Sequence, residues 1–331
     1  MISPAYSITA TERILPRMAL DFTTAILDSR VTFTRAGNTA TVTNSSGVIT
    51  AINADLPRFD YNPTTLVCSG LLIEESRTNV LLNSLINGTS LGTQLVTVTA
   101  AARTLSFYGT GQIVLTGAHS ATVTGTGAYP TRTTLTFTPS AGVLTLTVTG
   151  TVQYAQLETG AFATSFIPTA ASQVTRSIDS ALMTSTNFSD WFNASEGAFY
   201  VSADTLNTAG TRTALSVKDS GTQNYILSRN ISTGTASSRS FVSNVEQTSF
   251  SIASIFTANV ASGMVFAYKL NNSNFGAAGS ISTVDTVCTI PTVDRLEIGA
   301  FSALNPINGH IQKVMYWPQR VTNAEVQAFS K

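Results

Sequence analysis

The chain has 331 residues, 43% of them hydrophobic and 11% charged, with a formal net charge of zero. Ordinary globular proteins carry about 25% charged residues. This balance excludes the clustered Lys and Arg that nucleic acid or an anionic membrane surface would require, and no apolar run is long enough to span a bilayer as a helix. Thr, Ser and Asn supply the polarity instead, and about fifty residues are Thr. Threonine is stiff at χ1 and suits a pleated strand, so the composition predicts an all-β protein with a neutral, hydroxyl-rich surface.

Residues 1–20 lack strand periodicity, contain Pro4 and Pro16, and carry Glu12, Arg13 and Arg17 where a signal peptide has its apolar core. They are expected to form a docking arm. Residues 21–85 read as a separate β segment. VTFTRAG and TATVTNSSG alternate with period 2, and Ser46-Gly47 turns the chain toward VITAI. Pro57 and Pro63 bracket RFDY, so this piece is extended but not a central strand. The second half of GLLIEESRTNVLLNS is open to either helix or strand.

Residues 86–159 hold seven short apolar–Thr segments punctuated by Gly, Ser or Pro, which predicts a small antiparallel sandwich. In LTLTVTG, Leu144, Leu146 and Val148 fall on one face and Thr145, Thr147 and Thr149 on the other. The series ends at Gln156-Leu157-Glu158. Gly160 breaks it and Pro168 bars regular pairing. Residues 160–179 therefore read as an interdomain connection, with Phe162, Phe166, Ile167 and Pro168 packed between two domains. A second strand series fills residues 180–331, with Phe199, Val201 and Ala203 on one face. It closes on a capping box, Thr322 as N-cap and Glu325 as its partner, before a short helix.

Few residues offer chemistry. Glu74 and Glu75 are adjacent and point apart if extended, as do Asp294 and Glu297, so no carboxylate pair for glycoside hydrolysis is visible. His119 and His310 have no partners at metal-site spacing. Asp204, Asp219 and Asp285 fall in loops without a D-x-D pattern. Arg77 is expected to pair with Glu74 or Glu75 at a domain interface. Cys68 and Cys288 are expected to be free thiols. Neither a metal, a cofactor nor catalysis is expected. For sugar recognition the candidates are Trp191, Tyr316 and Trp317 as aromatic platforms and Asn308 and His310 as polar partners. Tyr316 and Trp317 alternate on a strand, so one of them should face inward.

Two stretches resemble a known family. RFDYNPTTLVCSGLLIEESRTNVLLNS (58–84) and AQLETGAFATSFIPT (155–169) resemble segments of bacteriophage and prophage tail-fibre, head-fibre and related virion proteins. Asn62 and Phe166 depart from the usual Asp and Tyr. The C-terminal LEIGAFSALNPINGHIQKVMYWPQRVTNAEVQAFS resembles the end of a laminin-G-like (concanavalin A-like) jelly roll. The resemblance implies a noncatalytic virion protein: a small carbohydrate-binding-module-like sandwich, then a jelly roll. It would be assembled in the host cytoplasm, joined to other virion proteins through its arm, homotrimeric, and adhesive to host surface glycan without membrane insertion or nucleic-acid binding. A capsid decoration or fibre-base protein without a receptor, and a glycan-degrading enzyme on the same fold, are the alternatives.

Overall fold

The computed structural model describes residues 15–37, 39–85 and 90–331, and the chain is all-β. The seven segments of residues 86–159 are seven strands in two layers. Four of them (Ala121–Thr124, Gln112–Gly117, Gly142–Thr149 and Gln94–Val98) make one sheet; Thr133–Phe137, Arg103–Tyr108 and Gln153–Thr159 make the other. Leu144 and Leu146 are buried while Thr147 and Thr149 are exposed, so period-2 alternation sets the layer.

The large sandwich is not confined to residues 180–331. Its seven-stranded sheet runs Thr32–Thr34, Ser180–Thr184, Arg295–Ile298, Arg212–Lys218, Tyr225–Ile231, Thr235–Val242 and Val245–Ile252. The facing eight-stranded sheet has Gly309–Trp317 near its centre, with Glu196–Ala203 on one side. The other side of this strand is shared: Cys68–Ile73 pairs with its first half and Met18–Asp21 with its second. Phe59–Tyr61 is an edge strand, in keeping with its flanking prolines. The segment 21–85 is thus part of the large sandwich rather than a separate unit. Of the expected arm, residues 1–14 lie outside the described residues. Arg17 donates its backbone N–H to the Tyr316 carbonyl, and Met18 and Leu20 are core side chains.

The small sandwich is an insertion. The chain leaves the large sandwich through Arg77–Asn79 and returns through Val174–Arg176, and these two strands pair side by side as a neck. Residues 160–179, expected as an irregular connection, hold the returning strand of that neck. Gly160 sits at φ +132°, and a Cβ there would land on the Arg77 guanidinium, so the exit of the small sandwich requires glycine. Phe162, Phe166 and Ile167 are buried and Pro168 is half-buried. Thr322 and Glu325 form the capping box of the helix Asn323–Phe329. Cys68 and Cys288 are both buried and unpaired.

A fragment of residues 180–331 lacks four strands of the large sandwich's two sheets and the core side chains Met18, Leu20, Phe33, Leu71 and Ile73. Each fully buried side chain contributes about 1.5–3 kcal/mol, and together they rival the whole stability of a typical domain. We expect that fragment to show no cooperative unfolding transition by circular dichroism, whereas residues 15–331 unfold cooperatively. A cooperative transition in the fragment would overturn the shared-sheet topology.

Candidate functional site

The strand ends around the neck deliver a cluster of buried charges. Arg58 immediately precedes the edge strand, Glu74 follows Cys68–Ile73, Arg176 ends the returning strand, Asp179 precedes Ser180–Thr184, and Arg35 follows Thr32–Thr34. All five are buried. Arg58 reaches Glu74 at 2.7 Å and forms a two-pronged pair with Asp179. Arg176 lies 3.1 Å from Glu74, and Arg35 3.5 Å from Asp179. Ser165, on the loop leaving the small sandwich, donates to Glu74 from its backbone N–H (2.8 Å) and its hydroxyl (2.6 Å).

Burial opposes ionisation of Glu74. Arg176 and Arg58, with the Ser165 hydrogen bonds, outweigh it and hold the carboxyl well below the usual range. Burial likewise opposes charge on Arg58, but Asp179 and Glu74 push its pKa up. Arg77 pairs with Glu75 at 2.5 Å, and not with Glu74.

A second set of contacts fixes the small sandwich to the neck. Asn79 donates to the carbonyls of Ala155 and Ile167 and accepts from the N–H groups of Leu81 and Leu157. Gln156 donates to Glu158 and the Thr164 carbonyl and accepts from the Ile167 N–H. Burial pushes the Glu158 carboxyl up, while its hydrogen bonds from Thr164 pull it back.

Above this cluster lies a cleft of about 160 Å³ between the two sandwiches. One wall comes from the outer face of the eight-stranded sheet. Leu71 and Ile73 point into the core, so alternation turns Leu72 and its cross-strand partner His310 outward, beside Asp60. The opposite wall is Tyr108, Tyr129 and Arg132 of the small sandwich, and residues 163–166, Leu206 and the hairpin residues 41–43 and Ile49 complete the lining. Tyr108 and Tyr129 meet edge to face at 5.1 Å, Tyr154 meets Phe166 at 5.4 Å, and the Tyr129 hydroxyl donates to Thr43 across the cleft at 3.1 Å.

His310 is held at both ring nitrogens, by Asp204 through Nδ1 at 3.0 Å and by Asp60 through Nε2 at 3.3 Å. Burial opposes its charged form, but the Asp204 and Asp60 carboxylates prevail and push its pKa up to about 10. Burial raises the Tyr108 and Tyr129 hydroxyls, so both are neutral at physiological pH. A group that relays protons near neutrality needs a pKa near 7. Glu74 and His310 are instead locked in their charged forms.

The five sugar-site candidates are scattered. Trp191 is a core ring, 3% exposed, packed against Phe188 and Tyr316, with its indole N–H donated to the Asn187 carbonyl. Tyr316 is enclosed in the same core, its hydroxyl 3.0 Å from that of Tyr268. Trp317 faces the other way, stacked on Phe329 at 4.8 Å under the terminal helix. Neither Trp191 nor Tyr316 is an exposed platform, because the same alternation that makes a strand half-apolar sends large rings into a core. Asn308 is fully buried and clamps Glu75, accepting from its N–H and donating to its carboxylate. Only His310 lines the cleft.

Asp60, Tyr108, Tyr129 and Arg132 escaped the sequence reading. A signal existed for one of them: residues 86–159 contain only three Lys, Arg, Asp or Glu residues, Arg103, Arg132 and Glu158. Charges that rare mark specific contacts. Of the loop acids, Asp204 holds His310, Asp219 accepts from Asn224, and Asp285 accepts from the Val287 N–H. Among the described residues no group of three or more His, Cys, Asp or Glu is arranged to hold a metal ion.

No family model and no curated protein matches the chain. Among solved structures it is similar to the CBM40 module of the Ruminococcus gnavus IT-sialidase bound to α2,3-sialyllactose. That match has 14% identity and a TM-score of 0.37, over 42% of this chain and 83% of that one. It is also similar to the NanB sialidase of Streptococcus pneumoniae (14% identity, TM-score 0.38, 45% of this chain and 26% of that one). The SAP-like pentraxin of Limulus polyphemus matches at 12% identity and a TM-score of 0.32, over 42% of this chain and 70% of that one. Likenesses this distant assign no function.

Two predictions test the site. Arg58→Met leaves Asp179 and Glu74 partly unpaired in the interior, which costs about 3–5 kcal/mol; equilibrium unfolding in urea should read that loss. His310 has a folded-state pKa of about 10 against roughly 6.5 when unfolded. Its stabilisation is therefore complete below about pH 6.5 and is lost as pH rises toward 10. The melting temperature should fall across that window in the wild type and much less in His310→Gln. An equal fall in both proteins would remove His310 as the cause.

Proposed function

We propose that the chain is a noncatalytic bacteriophage virion adhesion protein that holds host surface glycan in the cleft between its sandwiches. The observation that carries this reading is the half-buried ring of Tyr129, set edge to face on the buried ring of Tyr108, opposite the fixed polar groups of Asp60 and His310 across one small cleft. A site with aromatic faces and a few converging polar groups suits a sugar, whose C–H faces pack on rings while its hydroxyls take hydrogen bonds. The locked charge states of Glu74 and His310 favour a binder over a hydrolase.

The virion assignment is supported by the resemblance of residues 58–84 and 155–169. The neutral outer face of the four-stranded sheet, with Thr122, Thr147 and Thr149 exposed beside Leu95 and Val143, favours packing of copies into a homotrimer.

An array of bacterial surface oligosaccharides tests the proposal. We expect retention of a defined subset and, for Tyr129→Ala, a loss on the order of tenfold or more in affinity with little change in melting temperature. Failure to retain any glycan would leave a capsid-decoration or fibre-base role, and product release from a retained glycan would make the protein an enzyme. Light scattering of the same sample should give three copies; a monomer would remove the trimer.

A further inference from the structure

We infer that the glycan is acidic, that its carboxylate pairs with Arg132, and that the sugar chain continues from the cleft into a second hollow beyond that residue. This rests on the glycan reading of the cleft and adds the ligand class.

Two cations line the cleft, and they differ. His310 already faces two carboxylates. Arg132 makes no direct ion pair among the described residues; the buried Glu158 carboxylate, which interacts with it electrostatically, takes its hydrogen bonds from Thr164 and Gln156. Arg132 donates from Nη1 to the Thr164 carbonyl and from Nη2 to the Ser106 hydroxyl, both at 2.8 Å. A guanidinium carries five N–H donors. Two are used, and the Nε donor has no partner. Each Nη retains one further N–H, the pair that meets a carboxylate as a fork. The carboxylates that line the cleft do not cancel this charge. Asp60 is paired with His310, and Glu74 with Arg58 and Arg176. Arg132 therefore lines the cleft with unused N–H donors and no carboxylate in hydrogen-bond contact, its charge offset only at longer range by the buried Glu158, and an anionic ligand would take up those donors.

The second hollow, about 460 Å³, adjoins the cleft along Arg132, Ala163 and Leu206, which line both. Its floor is the outer face of the three-stranded sheet, Thr104, Thr134 and Thr136, and its far side carries Asn207 and Asn259. The Thr134 hydroxyl and the Asn207 and Asn259 amides offer donors and acceptors there without charge, while Thr104 and Thr136 bond each other and the Phe162 ring is buried under Arg77 and Arg212. A chain leaving the cleft over the Arg132 guanidinium enters a trough suited to sugar hydroxyls. The ligand class is an oligosaccharide with a carboxylate-bearing unit at the cleft end.

The test is an array that pairs each uronic-acid oligosaccharide with its carboxyl-reduced neutral form, read with wild type, Arg132→Gln, Arg132→Lys and Thr134→Glu. Wild type should retain acidic members over their reduced partners, and more weakly as salt rises. Arg132→Gln should lose on the order of tenfold to a hundredfold for acidic members, with Arg132→Lys between. Thr134→Glu touches none of the Arg132 hydrogen bonds. It places a carboxylate in the trough, so it should weaken the acidic members and spare any neutral ones, whether or not Arg132→Gln folds. Equal retention of acidic and reduced forms, neutral binding alone, or unchanged acidic binding in both Arg132→Gln and Thr134→Glu would overturn the acidic ligand and leave the glycan reading standing. Retention of nothing would overturn both.

Discussion

The arrangement of the two sandwiches depends on one interaction, the buried pairing of Arg58 with Glu74 and Asp179. Arg58 enters from the edge strand, Glu74 from the strand beside it, and Asp179 from the chain returning out of the insertion. The pairing closes a ring through segments far apart in sequence. Taking such ions out of water costs about as much as their attraction returns, so a cluster of this kind adds little net stability. Its effect is on arrangement. With each partner alone, a charge is left buried and unpaired, and only the full set is tolerable. The strands must therefore meet in one geometry, which fixes the neck and, through Ser165, the loop that leaves the small sandwich.

The cleft is a consequence of that geometry. Asp60, on the edge strand, lies two residues beyond Arg58, and Leu72, on the neighbouring strand, two residues before Glu74. Anchoring Arg58 and Glu74 thus sets the wall on which Asp60 and Leu72 stand. Ser165 and Phe166 are consecutive, so the loop that donates to Glu74 also presents the ring that packs against Tyr154. The aromatic wall and the polar wall are held from the same anchor, which gives the cleft a rigidity that clefts built on isolated loops lack.

Much of the fold was legible in the sequence. Seven short Thr-rich segments became seven strands because period-2 alternation is a local property and each segment carried its own turn signals. The capping box at Thr322 was equally local. The domain plan was less legible. Nothing within Met18–Asp21 or Cys68–Ile73 says that its partner is Gly309–Trp317, since pairing between strands that distant is a tertiary fact. The site suffered most. Aromatic residues were sought as sugar platforms, yet Trp191 and Tyr316 are core rings, and the tyrosines that line the cleft, the buried Tyr108 and the half-buried Tyr129, sat unmarked in strand and turn. A single sequence shows which residue is a ring; burial, decided by distant neighbours, determines what the ring is for.

The residues that carry the family resemblance acquire a different meaning in three dimensions. Arg58 and Glu74 from the first stretch, and Ser165 from the second, build the ion cluster. Asn79, Gln156, Glu158 and Thr164 build the foot of the small sandwich, and Gly160 makes room for Arg77. These are mounting residues. Of the motif residues, only Asp60, Leu72, Glu74 and those of 163–166 reach the cleft, and Glu74 and Ser165 do so with their polar groups already committed. The other large side chains of the lining, Tyr108, Tyr129 and Arg132, come from the inserted sandwich, outside both stretches. The ion cluster lies under the cleft while the rings come from the insert, so a change of ring in the insert alters what the cleft touches and the cluster keeps the cleft in place.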